Sequence, residues 1–296
     1  MSDTPLGDQA AADVARRLRL RGKTFPRPDT TRVIAVANQK GGVGKTSTAV
    51  NIAAALAVGD QRVLVVDVDP QGNASTALGI EHHADVASVY DVLLGGTDMA
   101  EAIRPCQAQD NLWCVPATID LSGAEIELVN EPKREYRLHE AIGDLRRHLR
   151  RVGEAPLDYV IIDCPPSLGL LTLNAFVGAK EVLIPIQCEY YALEGLSQLL
   201  RTIRLVRDSL NAELAVSAIL LTMYDARTNL AHDVVREVKE HFPGEVMRAT
   251  IPRSVRVAEA PGFGQTVITY DPNSTGALSY MEAALELAER AGGDHG

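Results

Sequence analysis

The stretch "VIAVANQKGGVGKTSTAVNIAAALA", residues 33–57, constrains the fold more than any other part of the chain. An apolar, β-branched run ends in a glycine-rich turn, and a helix-forming run follows at once. Gly41, Gly42 and Gly44 let the backbone curl so that its N–H groups point inward. The first turn of the following helix adds unpaired N–H groups and a positive dipole end. The result is a cradle for phosphate, formed by the backbone from Gly42 through Val43 to Thr46, with Lys45 along the β- and γ-phosphates and the Thr46 hydroxyl on Mg²⁺. One detail breaks the usual G-x-x-x-x-G-K-[ST] spacing. Position 39 is Gln rather than Gly, and Lys40 beside it is a charge that the loop's own geometry does not need.

The remainder of the chain repeats the same alternation. Residues 32–38, 62–69, 112–117, 158–164, 181–187, 215–224 and 246–252 read as strands, nearly continuous in apolar residues as in a parallel sheet covered on both faces. Helices are expected near 46–58, 86–94, 122–130, 134–152, 168–178, 190–210, 229–241 and 275–291. This pattern predicts an α/β, doubly wound, mostly parallel sheet of about seven or eight strands, with sites at the carboxyl ends of the strands. We expect one P-loop ATPase domain over residues 31–296, preceded by a flexible, partly basic arm over residues 1–30. Within that arm "ADVARRLRLRGK", residues 12–23, has the composition of a basic helix and is a candidate auxiliary contact to DNA or to a partner.

Composition narrows the class. No apolar run approaches the roughly 20 residues that span a bilayer, and the first residues lack the basic-then-apolar order of a secretory signal. A cytoplasmic protein is expected. Cys106, Cys114, Cys164 and Cys188 form no C-x-x-C pair and are expected as reduced, mostly buried thiols. His82 and His83 look like a solvated loop pair, and no transition-metal site is expected. The net charge of −10 argues against a generally basic surface but leaves room for a local basic patch.

Two further strand ends carry carboxylates. "VIIDCPPS" ends an apolar strand in Asp163, a Walker B arrangement that would hold a Mg²⁺-bound water opposite Thr46. "VLVVDVDPQGNAST" places Asp67 and Asp69 two residues apart and therefore on one face. Such a pair at a buried strand end is costly unless a cation or polarised water stands nearby.

Together, "KGGVGKT", "VDVDPQGNAS", "VIIDCPPSLGLLTLNA", "LTMYDARTNL" and "IPRSVRVAEAPGFGQTVITYDPNSTGA" resemble the ParA family of DNA-partitioning ATPases, in its chromosomal, Soj-like branch. The likeness runs from about residue 32 to 290 and places the chain among deviant Walker A ATPases. It implies that Lys40 reaches across an ATP-dependent homodimer to the phosphates held by the other subunit. It implies that Asp69 positions or activates the attacking water, that Asp67 supports Mg²⁺ waters and the loop, and that Ser47 meets the α-phosphate. Met223 and the turn at Pro252 are the implied neighbours of the base. Arg227 and Arg256, with Arg253 close by, match positions that bind nonspecific double-stranded DNA through its phosphates. The implied partner is a ParB-like centromere-binding protein that stimulates hydrolysis, and the implied location is the nucleoid.

Related classes fit less well. A MinD-like membrane ATPase ends in a basic amphipathic helix, whereas "ALSYMEAALELAERAGGDHG" is acidic. An iron-protein-like electron carrier needs placed cysteines, and a related tyrosine kinase a tyrosine-rich tail; neither pattern is present. A plasmid ParA with its own helix-turn-helix domain needs more than thirty residues ahead of the loop.

Overall fold

The computed structural model describes residues 5–20, 22–189 and 192–290. Eight strands form one sheet in the order β3-β4-β2-β5-β1-β6-β7-β8. They are β1 (Arg32–Val36), β2 (Val63–Asp67), β3 (Arg104–Pro105), β4 (Leu112–Val115), β5 (Tyr159–Asp163), β6 (Glu181–Gln187), β7 (Ala215–Tyr224) and β8 (Val246–Pro252). All pairings are parallel except β3 with β4. The seven long strands fall where the apolar runs predicted them, while β3 is a two-residue edge segment that carries no periodic signal.

Helices cover both faces, which is why the central strands have no polar side. On β1, Val33 and Ala35 enter one core cluster while Ile34 and Val36 enter the other. The first cluster is closed by α4 (Val89–Leu94), α5 (Met99–Ala102), α6 (Leu121–Glu127), α7 (Arg137–Val152), α8 (Leu170–Gly178), α9 (Ala192–Ser209) and α10 (Asn229–His241). The second is closed by α2 (Lys45–Val58), α3 (Asn73–Ala77), α12 (Val267–Tyr270) and α13 (Thr275–Glu289). Each buried Val, Leu or Ile in these layers contributes about 1.5–3 kcal/mol by leaving water. The remaining helices are α1 (Pro5–Leu20) and α11 (Val255–Glu259). Side chains cap several starts: Thr228 accepts from the Ala231 amide and Ser274 from the Ala277 amide.

Helix α2 is apolar on every side because it is wedged between β1, β2 and α13. Asn51, its polar interruption, accepts the Val267 amide at 2.8 Å and donates to the Ser47 carbonyl at 2.7 Å, so it caps α12 from within the core. Glu286 performs a similar task at the sheet edge, accepting the amides of Arg248 and Ala249, each at 2.9 Å, and pairing with Arg290.

Two expectations meet a different arrangement. In place of a loose arm, α1 lies against α13: Arg16 forks onto Glu282 at 3.0 and 2.7 Å and reaches Ser279 at 2.8 Å, and Thr275 donates to Asp13. Residues 1–4 and 21 of that arm lie outside the described residues, as do 190 and 191 of the expected helix 190–210 and residues 291–296 at the acidic end. His82, expected in a solvated pair, is half-buried, bonds the Thr76 hydroxyl at 2.9 Å and closes over Gly72. The cysteines are free, with Cys106, Cys114 and Cys164 buried and Cys188 half-buried. Among the described residues no helix is long and apolar enough to cross a membrane.

Candidate functional site

The loop between β1 and α2 curls back over the end of its own strand. Gly42 and Gly44 hold φ of 74° and 86°, a left-handed backbone that L side chains rarely adopt and that turns successive amides toward one point. Gly44 is the residue before α2, so the helix begins without a side-chain cap and its first amides stay free for an anion. Lys45 is almost fully buried and its ammonium bonds the Lys40 carbonyl at 3.1 Å, across the mouth of the loop. Burial lowers its pKa, against the opposing pull of Asp163 and Asp69. Gly41, Val43, Thr46 and Ser47, expected in the cradle, lie along this loop and the first turn of α2, and Thr222 at the end of β7 fixes the loop by donating to the Val43 carbonyl at 2.8 Å.

Lys40 is held differently. Its amide donates to Asn38 Oδ1 at 3.0 Å, and Asn38 in turn donates to the Pro185 carbonyl of β6 at 2.7 Å. Its ammonium pairs with Glu189 Oε2 at 2.5 Å, just past β6, rather than entering its own phosphate cradle.

The register of the sheet gathers the acids. Asp67 on β2 stands directly beside Asp163 on β5, and Asp163 beside Val36 on β1. Both carboxylates are fully buried. Asp67 accepts the Ser75 amide at 2.8 Å, the Ser75 hydroxyl at 2.7 Å and the Asp69 amide at 3.2 Å. Burial nevertheless pushes its pKa up to about 6. Asp163 has neither oxygen hydrogen-bonded. Burial first and the charge of Asp67 next push its pKa well above the carboxylate range; the Thr46 hydroxyl, turned toward it, and Lys45 oppose the shift. Asp69 folds into the following turn, accepting the Gln71 amide at 3.0 Å.

A divalent cation fits this arrangement. Asp163 offers two unused oxygens facing a hydroxyl donor, while Asp67 is engaged in holding the turn that carries Asp69. Among the described residues no three His, Cys, Asp or Glu make a ready metal cage. One carboxylate, one hydroxyl and a substrate's phosphates are the usual surroundings of Mg²⁺.

Tyr224 and Pro252 are paired across β7 and β8, so Met223, expected near the base, lies one residue from that pair and next to Thr222. Met223 has φ of 49°, strained for a side chain of its size and located at the edge of the cradle. The arginines leave these same strand ends. Arg227 is exposed and forked onto Asp225 at 2.8 and 2.7 Å. Arg256 on α11 pairs with Glu259 at 3.1 Å and Asp271 at 3.4 Å, and Arg253 is exposed just ahead of it. Arg227 and Arg256 are thus each paired with an acid of their own neighbourhood, Arg227 with Asp225 and Arg256 with Glu259. Sequence reasoning missed Asn38, Ser75, Glu189 and Thr222, each of which acts through a residue far away in the chain or across a turn. Of these, Ser75 and Asn38 had a local signal, Ser75 lying eight residues after the acid it serves and Asn38 two residues before the lysine whose amide it accepts.

A loop of inward amides at a strand–helix junction, backed by a bare carboxylate one strand away, is the architecture of P-loop nucleotide hydrolases, here in the variant with a second lysine ahead of the glycines. A family model described as an AAA domain matches residues 31–216. The sporulation initiation inhibitor protein Soj of Bacillus subtilis (strain 168) is 53% identical over 258 residues, 87% of this chain and 98% of that protein. The chromosome partitioning protein ParA of Myxococcus xanthus (strain DK1622) is 51% identical over 259 residues, 88% of each chain. The crystal structure of cobyrinic acid a,c-diamide synthase from Mycobacterium smegmatis with bound ADP and magnesium superposes with a TM-score of 0.72 at 40% identity, covering 86% of this chain and 93% of that one. The chain belongs to the ParA/Soj family of chromosome-partitioning ATPases, as its motifs led us to expect.

Proposed function

We propose that residues 31–296 form an ATP-driven DNA-partitioning switch, in which ATP and Mg²⁺ close two copies face to face and hydrolysis separates them. The observation that carries this reading is the placement of Lys40. Lys45 already supplies the cation of the cradle, and the Lys40 ammonium is turned out of it. A second lysine outside its own site makes chemical sense when the phosphates it neutralises belong to a facing subunit. A cation delivered in trans, like an arginine finger, is worth about 10³–10⁵ in rate.

Within each subunit, the Gly42–Thr46 backbone and Lys45 hold the β- and γ-phosphates, and Ser47 the α-phosphate. Thr46 and Asp163 would hold Mg²⁺, which would supply positive charge against the phosphates. Asp69 orients the attacking water, and Asp67 fixes the turn that carries Asp69. Met223 and Pro252 border the base. The bound magnesium nucleotide of the Mycobacterium smegmatis relative supports the ATP and Mg²⁺ assignment.

Arg227, Arg253 and Arg256 then contact duplex phosphates without reading sequence, as one patch across the closed dimer. A ParB-like centromere-binding protein stimulates hydrolysis, returning subunits of low DNA affinity, and the protein works in the cytoplasm on the nucleoid. The name of the Myxococcus relative supports the partitioning role. The test is ATP-dependent dimerisation and ATPase activity, with and without nonspecific DNA and the centromere-binding partner. Lys40→Ala is expected to stay monomeric with a hydrolysis-resistant ATP analogue. Dimerisation of that variant at the wild-type level would overturn the reading.

A further inference from the structure

The ion pair that receives Lys40 is itself placed by the fold. Glu189 follows β6, whose last residue, Gln187, lies beside Thr222, the residue that fixes the phosphate loop. The Gln187 side-chain amide donates to Glu189 Oε1, and the Glu189 amide bonds the Gln187 carbonyl at 2.8 Å. The carboxylate is therefore oriented at both ends: one oxygen on Gln187, the other on the Lys40 ammonium at 2.5 Å. The Lys40 backbone is tied to the same strand through Asn38 and Pro185. Backbone and side chain of this lysine are thus both moored on the end of β6, away from the cradle. No other side chain touches the Lys40 ammonium among the described residues.

We propose that Glu189 is a positioning residue for Lys40: it holds the ammonium in cis in the free subunit and must release it before Lys40 can meet a facing subunit's triphosphate. The inference rests on the trans role of Lys40 proposed above and adds the residue that competes with it. The competition is balanced rather than one-sided. Side-chain exposures of 40% and 45% leave the pair partly hydrated, and such pairs shift an equilibrium by no more than about fivefold. A triphosphate with several negative charges outcompetes one carboxylate, whereas a nucleotide-free partner offers nothing to win the lysine. The pair thereby discourages closure of empty subunits. Because a dimer opens two such pairs, removing them is expected to tighten dimerisation by up to about 25-fold, the square of the single effect.

The experiment is sedimentation of the full chain with a hydrolysis-resistant ATP analogue and Mg²⁺, comparing wild type, Glu189→Gln, Lys40→Ala and the double variant. Glu189→Gln is expected to lower the dimer dissociation constant about 3- to 25-fold, to steepen the salt dependence of closure because no ion pair is then broken to offset the one formed, and to change nothing in the Lys40→Ala background. A Glu189→Gln protein that dimerises as wild type, or more weakly, overturns the proposal while loss of dimers in Lys40→Ala leaves the trans role standing. Normal dimers in Lys40→Ala overturn both. Both side chains are partly exposed, so thermal melts of the variants should match wild type; the dissociation constant is then a direct reading of the competition.

Discussion

Replacing Asp163 by Asn should make the nucleotide-free protein more stable and remove its response to magnesium nucleotide. Asp163 sits at the centre of the sheet, fully buried, with both oxygens unpartnered and the Asp67 carboxylate on the neighbouring strand. A buried polar group left without a partner costs about 1–3 kcal/mol, and more when charged. Asn keeps the shape, removes the charge and offers an N–H to Asp67, so the expected gain is about 1–3 kcal/mol. At about 2 °C per kcal/mol for a chain of this length, the melting temperature should rise by about 2–6 °C.

The pH dependence fixes the sign. Asp163 has a pKa raised by folding, so its protonated form favours the native state: the stability is present below the ordinary carboxylate value and is lost as pH rises through the raised value. Asp67, pushed up to about 6, behaves in the same way over the range from its ordinary 3.8. The advantage of Asp163→Asn should therefore grow as pH rises above the ordinary carboxylate value and shrink toward about pH 4. Thermal melts from about pH 5 to about pH 8, with and without a magnesium ATP analogue, measure both effects. A nucleotide-free Asp163→Asn protein that melts below wild type near neutrality refutes the account of the bare carboxylate. A full magnesium-dependent rise in that variant refutes its place at the cation.

Gly79→Ala should destabilise the turn after α3 severely. Gly79 holds φ of 67°, and an added Cβ would lie 2.8 Å from the Gly264 carbonyl oxygen, a backbone atom with no room to retreat. A loss of about 2–4 kcal/mol is expected in chemical denaturation, and a change below about 0.5 kcal/mol would contradict it. Asp225→Asn should strengthen nonspecific DNA binding, because Asp225, whose carboxyl is pulled down to about 2 by Arg227, occupies both faces of that guanidinium's fork. The salt slope of binding should steepen by up to about one counterion, as fluorescence anisotropy against a random duplex would reveal; unchanged or weaker binding would rule the idea out.

The layered sheet was legible because each long strand is buried on both faces and so leaves a continuous apolar run in the chain. The phosphate cradle was legible for the same local reason: the glycines, Lys45 and Thr46 act within one strand, turn and helix. What escaped the sequence depends on adjacency across the sheet. Glu189 meets Lys40 over a separation of 149 residues, and Thr222 meets Val43 over 179. The helices α3, α5, α11 and α12 have four or five residues, too few to show a 3.6-residue period. Helix α1 was foreseen as basic but not as docked, because its anchor, Glu282, lies 266 residues beyond Arg16.

On the proposed reading, the placement of charge links closure to nucleotide. Three carboxylates, Asp67, Asp69 and Asp163, converge where one lysine, Lys45, faces them, and burial weakens that lysine's hold on its proton. The free subunit thus gathers acids that burial drives toward their protonated form, and a nucleotide alone would add further negative charge beside them. A divalent cation on Asp163 and Thr46 removes part of it. The remaining phosphate charge calls for a further cation, and Lys40, in the same loop, is turned away and moored on Glu189. On the proposed reading that cation comes from a second copy. A subunit whose site contained its own second lysine would bind ATP equally well alone and would have no electrostatic reason to pair, so on the proposed reading the same displacement that leaves each site incomplete would make ATP the glue of a dimer.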